Sequence, residues 1–143
     1  MADTLRELLT EYDNKKYATD AGVLMHKKMR FVNMLDTESD IVKQIKTHPG
    51  LEMFFVSNAL TEVPVAAVIN DKFISRRIDR MIIDDKDRVI HILDYKTDVD
   101  KSAFHLSYVA QVREYMTIVG KIYPKYKVYG YILWLHDWTL EKL

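Results

Sequence analysis

Two short stretches hold residue types suited to hydrolytic chemistry: Ile78-Asp79-Arg80 and Ile92-Leu93-Asp94-Tyr95-Lys96-Thr97. An acid, any residue, then Lys is a weak pattern by itself, since a chain this rich in both types yields about two such triplets by chance. Three occur. Asp13-Asn14-Lys15 falls in a polar connector and Asp84-Asp85-Lys86 in a turn, whereas Asp94-Tyr95-Lys96 closes an apolar run. Two charges at the end of a buried strand are costly unless they have partners.

Strand geometry offers the partners. Residues two apart in a strand point to the same side, so Asp94 and Lys96 project together beyond Ile90 and Ile92. A turn with an even number of residues between the two stretches puts Asp79 on that same face. A four-residue turn, Asp85 to Arg88, sets the two Asp directly opposite, with Cβ atoms about 5 Å apart; a two-residue turn, Asp85-Lys86, makes them diagonal neighbours at roughly 7 Å. Carboxylates this close repel unless a cation lies between them. Oxygen ligands without thiolates favour Mg²⁺ or Mn²⁺, and a lysine beside such an ion can orient a water or offset charge on a phosphate oxygen. The alternative from the same residues is structural: an Asp94–Lys96 ion pair at the sheet rim, with Asp79 paired to Arg77 or Arg80.

The elements that must position these groups follow from periodicity. Asp3 to Tyr12 reads as a lead-in helix, then a polar connector to residue 19. Asp20 can cap a helix with the stripe Met25, Met29, Val32 and Leu35, and a further turn or two with Ile41, Val42 and Ile45 stops at His48-Pro49-Gly50. Val63–Ile69, Phe73–Ile83 and Arg88–Lys96 read as the three strands of a meander, led by Met53–Ser57, a short aromatic run of the same strand-like character. A helix from Ser107, with Val109, Val112, Met116 and Val119 inward, is expected to end at Gly120, with Pro124 just beyond. Val128–Leu135 is a last strand before a short tail. The expectation is an α/β domain over residues 20–143 with a mixed sheet, in the order helix, three strands, helix, strand. His91 alternates away from Asp94, and Trp134 and Trp138 read as packing residues.

Composition narrows the function classes. The chain has 143 residues, 48% apolar and 29% charged, the balance of a globular domain. There is no Cys, which removes disulfides, thiolate zinc sites and cysteine-held iron–sulfur clusters. Acidic and basic residues number 21 each, so any binding to a polyanion must come from a local patch rather than a global field. The apolar runs fall far short of the ~18 residues of a membrane span, and a soluble, cytoplasmic protein is expected. No Gly-rich loop ending in Gly-Lys-Ser/Thr is present, which disfavours ATP chemistry.

Four motifs in register resemble the RecB-like branch of the PD-(D/E)XK nuclease superfamily, found at the C-terminal end of bacterial helicase–nucleases of the RecB and AddA kind. They are Gly22 to His26, Ile78-Asp79-Arg80, Asp94-Tyr95-Lys96-Thr97, and Gln111 to Tyr115. Glu62-Val63-Pro64 is similar to a further segment of such domains, and Arg76 stands where the family has Gly. The resemblance spans about residues 20 to 135. It implies a restriction-endonuclease-like core that hydrolyses DNA, single-stranded and from ends rather than internally, in recombination and repair beside a helicase region or subunit. It further implies Mg²⁺ or Mn²⁺ held by His26, Asp79, Asp94 and the Tyr95 carbonyl, with Lys96 as the catalytic lysine. Gln111, Tyr115, Arg80 and Thr97 would face the nucleic acid. A rival expectation is a nuclease-fold module that cuts weakly or not at all and serves in DNA binding or protein docking.

Overall fold

From Leu60 onward β-branched and aromatic residues cluster between polar turns, and this part of the chain forms a sheet. The protein is described from a computed structural model over residues 20–30, 32 and 40–143, with side chains from Leu24 onward. The lead-in helix, the polar connector, the Asp20 side chain and Leu35 lie outside the described residues, and the expected helix does not extend through Val32, which is not helical. The chain divides into two units, residues 1–31 and 32–143. In the first, α1 covers Asp20–Arg30. In the second come α2 (Asp40–Thr47), a 3-10 turn (Glu52–Phe54), β1 (Leu60–Ile69), β2 (Lys72–Asp84), β3 (Val89–Lys96), α3 (His105–Ile122), β4 (Lys127–Trp134) and β5 (Thr139–Lys142). The result is an α/β protein with a five-stranded mixed sheet in the order β1-β2-β3-β4-β5.

Turn chemistry sets the register. Asn70 and Asp71, both at positive φ, make the two-residue turn that pairs Ile69 with Lys72. Four residues, Asp85 to Arg88, join β2 to β3: Asp84 pairs with Val89, the Asp84 carboxylate accepts the Asp87 N–H at 3.1 Å, and Arg88 closes the turn at φ +54°. Parallel pairing of β3 with β4 needs a crossover, which α3 supplies.

On one face, Tyr108, Val112, Tyr115, Ile118 and Val119 of α3 pack down on the sheet. Their partners include Ile90 and Ile92 of β3 and Ile132 and Trp134 of β4. Gly130 lets the helix come close, because a Cβ there would stand 2.7 Å from Val112 Cγ1 and 2.5 Å from Met116 Sδ. The other face is covered in part by Leu51, Phe54 and Phe55, all buried, with the Phe54 ring edge-on to Tyr131 at 5.0 Å.

Three expectations change. Met53–Ser57 is not a strand: Phe54 and Phe55 are both buried, and a strand would send neighbours to opposite faces, whereas a tight turn turns both inward. The last helix starts two residues earlier and runs through Gly120 to Ile122, since this glycine keeps helical geometry and Pro124 supplies the stop. The tail includes β5, which adds an antiparallel edge to β4. Among the described residues no helix is long and apolar enough to cross a membrane.

Candidate active site

The β2–β3 ladder runs from Asp84↔Val89 to Arg80↔Leu93. The pairing stops there; continued by one step, the register of the four-residue turn would bring Asp79 level with Asp94. Both acids are 1% exposed. Where the ladder opens, Asp79 Oδ2 accepts the backbone N–H of Tyr95 at 2.9 Å.

This is also where β2 loses its regular alternation. Ile78 and Met81 are three residues apart, yet both enter the core beneath α3. Residues three apart in a regular strand face opposite sides. Across the β1–β2 ladder, the residue between the pairs Thr61↔Arg80 and Val63↔Ile78 is Glu62, which sits at φ +51°. A left-handed glutamate is uncommon and costs about 1 kcal/mol. Glu62 Oε2 lies 3.9 Å from the exposed Arg77 guanidinium.

Lys96 and Asp94 leave β3 together. Lys96 Nζ stands 2.8 Å from Asp94 Oδ2 and donates to Gln111 Oε1 at 2.9 Å. Gln111 Nε2 in turn donates to the Tyr115 hydroxyl at 2.8 Å. One turn of α3 separates Gln111 from Tyr115, so the helix presents both to the end of β3. A continuous polar chain therefore runs Asp94, Lys96, Gln111, Tyr115 through a region otherwise lined by core residues. The Lys96 ammonium also lies 4.2 Å from the centroid of the Tyr108 ring, and the Tyr108 hydroxyl donates to Asp98 Oδ2 at 2.8 Å. Burial foremost, then the Asp98 carboxylate beside it, raises the pKa of that hydroxyl and keeps it a donor. Asp98 and Tyr108 were not singled out as site residues in the sequence, though Tyr108, three residues before Gln111, continues the same helix strip.

Arg80 goes elsewhere. Its guanidinium donates to the Tyr95 hydroxyl at 2.7 Å, the Phe54 carbonyl at 3.0 Å and the Val32 carbonyl at 2.9 Å, and lies over the Phe55 ring. At 1% exposure it is a structural brace and is not placed to meet a phosphate. The buried Tyr95 phenol, its pKa raised by burial and partly restored by Arg80, stays neutral as the acceptor. Thr97 follows Lys96 out of the strand and is half-buried. Gln111 and Tyr115 come together with Lys96, but Tyr115, like Arg80, is only 1% exposed and packs in the core, so neither of these two expected nucleic-acid contacts reaches the surface. His26 lies on α1, outside the unit that carries the sheet, and is 9% exposed. Arg76, at the position the family gives to Gly, bridges β2 to α3 through a 2.6 Å bond from Nε to Glu114 Oε1.

Two buried carboxylates on adjacent strands are a hard-oxygen donor pair, and Mg²⁺ commonly uses one or two protein carboxylates, with water and substrate phosphate completing its shell. The donor chemistry fits such an ion. Among the described residues, no group of three or more His, Asp or Glu side chains gathers as a ready metal site. Comparison with known proteins gives no matching family model and no match to a curated protein.

Proposed function

We propose that this chain is a metal-dependent DNA nuclease domain of the RecB-like branch of the PD-(D/E)XK superfamily, built on a restriction-endonuclease-like core. The observation that carries the reading is the cluster at the end of β3: buried Asp94 with the Lys96 ammonium on it at 2.8 Å, and buried Asp79 accepting the N–H of the intervening Tyr95. Asp79, Asp94 and the Tyr95 carbonyl would hold Mg²⁺ or Mn²⁺. When bound, such an ion supplies a more acidic water and neutralises charge on a phosphate.

The protein's own part is positioning and charge. Water adds to phosphorus, the bond from phosphorus to the leaving sugar oxygen breaks, and that oxygen takes up a proton. Lys96, its head fixed by Asp94 and Gln111, presents a positive charge to the phosphate oxygen that gains negative charge. Gln111 keeps Lys96 in place and is itself anchored by Tyr115. Thr97 and Gln111 border the path of the strand, with Tyr115 buried behind Gln111. Binding through phosphates makes cleavage insensitive to sequence and weaker as salt rises. A single strand, entered from an end and delivered by a helicase region or subunit, is the substrate this reading assigns, in DNA recombination and repair.

The Arg76–Glu114 bridge favours a second reading, a nuclease-fold module that binds DNA or docks on protein without efficient cutting. One assay separates the two. Degradation of labelled single-stranded DNA in Mn²⁺ is compared for wild type, Asp94→Ala and Lys96→Ala. The nuclease reading expects wild-type cleavage that falls by at least about 100-fold in both variants. Equal activity in all three would refute it, and salt-sensitive binding without cleavage would support the second reading.

A further inference from the structure

Lys96 carries the reactive charge on a flexible four-carbon stem with three rotatable donors, so its position must be imposed from outside. Asp94 and Gln111 take two directions around Nζ, at 2.8 and 2.9 Å. The Tyr108 ring takes a third, with its centroid 4.2 Å away. That ring is itself held at its far end: the hydroxyl donates to Asp98, and the ring packs against Trp134 and Phe104, with centroids 6.0 Å away in each case. Asp98 lies two residues beyond Lys96, so the chain that leaves β3 loops back to brace the residue that supports its own lysine.

We propose that Tyr108, braced by Asp98, is a positioning residue that seats the Lys96 ammonium against its ring face and fixes that charge beside Asp94. The pair would act through Lys96 and touch no substrate. The placement stands on the geometry alone; its effect on turnover rests on the nuclease reading above. Cation–π contacts of this kind are worth enough to change a rate by roughly 3- to 30-fold when the ring is removed.

The test uses the full chain and two readouts. In a ¹H–¹³C spectrum, the Lys96 Cε–Hε signal, assigned with Lys96→Arg, is expected upfield of the remaining lysines because of the ring current. Tyr108→Phe keeps the ring and should keep that shift, and Tyr108→Leu should lose it. Asp98→Asn, which weakens the brace without altering the core, should move the signal part of the way back and serves in place of Tyr108→Leu should that variant not fold. In parallel, cleavage of single-stranded DNA in Mn²⁺ should show kcat lowered roughly 3- to 30-fold by Tyr108→Leu, with KM within about twofold, and largely restored in Tyr108→Phe. A wild-type Lys96 signal among the exposed lysines, or one unmoved by both Tyr108→Leu and Asp98→Asn, overturns the proposal whatever the activity. A ring-dependent shift with no wild-type cleavage supports the positioning and refutes the nuclease reading instead. An unchanged kcat in a folded Tyr108→Leu that has lost the shift overturns the catalytic role of the pair.

Discussion

Asp79 accepts the backbone N–H of Tyr95 at the point where β2 and β3 stop pairing, through a 2.9 Å bond from a carboxylate that is almost wholly buried. The contact ties the first acid to the strand that carries the second, beyond the point where the ladder ends. It also gives Asp79 two separable jobs, as an acceptor that closes the ladder and as a negative charge. Asp79→Asn retains an acceptor oxygen and removes the charge. Its stability in urea should stay within about 1 kcal/mol of wild type while Mn²⁺-dependent cleavage is lost. Asp79→Ala should lose cleavage and also about 1–3 kcal/mol, the cost of an orphaned buried N–H.

Arg80 is expected to matter for folding and not for DNA. Removing it strands the Tyr95 hydroxyl and the Phe54 and Val32 carbonyls, three acceptors now satisfied by one guanidinium. Arg80→Ala should lower the unfolding free energy by about 3–5 kcal/mol, with Arg80→Lys recovering only part of it, since an ammonium lacks the planar fork. For as long as the variant folds, the salt dependence of DNA binding should keep the wild-type slope. A slope reduced by about one would mean that Arg80 contacts a phosphate after all.

Much of this arrangement is legible before any coordinates. The alternation of Phe73–Ile83 and Arg88–Lys96, together with an even-numbered turn, is enough to pair the two strands as an antiparallel hairpin. A spacing of four on a helix is enough to group Gln111 with Tyr115. Periodicity could not choose between the two-residue and four-residue turn, because that depends on Arg88 adopting a left-handed conformation. It also misassigned Phe54 and Phe55, whose run of apolar residues suits a buried turn as well as a strand. Arg80 resembled a surface cation because the sequence does not show that Phe54, Phe55 and Val32 cover its side of β2. Asp98 was invisible for a similar reason, since its role comes from a loop folding back on Tyr108.

His91 gives the fold a pH dependence of known sign. It lies on the sheet face opposite α3, with its Nδ1 3.0 Å from the Tyr131 hydroxyl and its ring stacked on Tyr129 and edge-on to Phe54. Burial, and then the positive Lys142, lower its pKa below the ordinary 6.5, with Asp84 opposing. The unfolded chain therefore takes up a proton before the folded one does. The stability His91 provides is complete above about pH 7.5 and declines as pH falls through 6.5 toward the lower folded value. Urea midpoints at pH 7.5, 6.5 and 5.5 should fall in that order, and His91→Gln should flatten the trend over this range. A midpoint that rises on acidification would contradict the assignment.

The nuclease reading requires Asp79 and Asp94 to share a divalent cation, which anomalous scattering from a crystal soaked in Mn²⁺ would locate. A manganese peak is expected within about 2.0–2.3 Å of a carboxylate oxygen from each residue, absent from Asp94→Ala crystals soaked in the same way. No peak at these carboxylates in the wild-type crystal, or a peak that survives in Asp94→Ala, would contradict it.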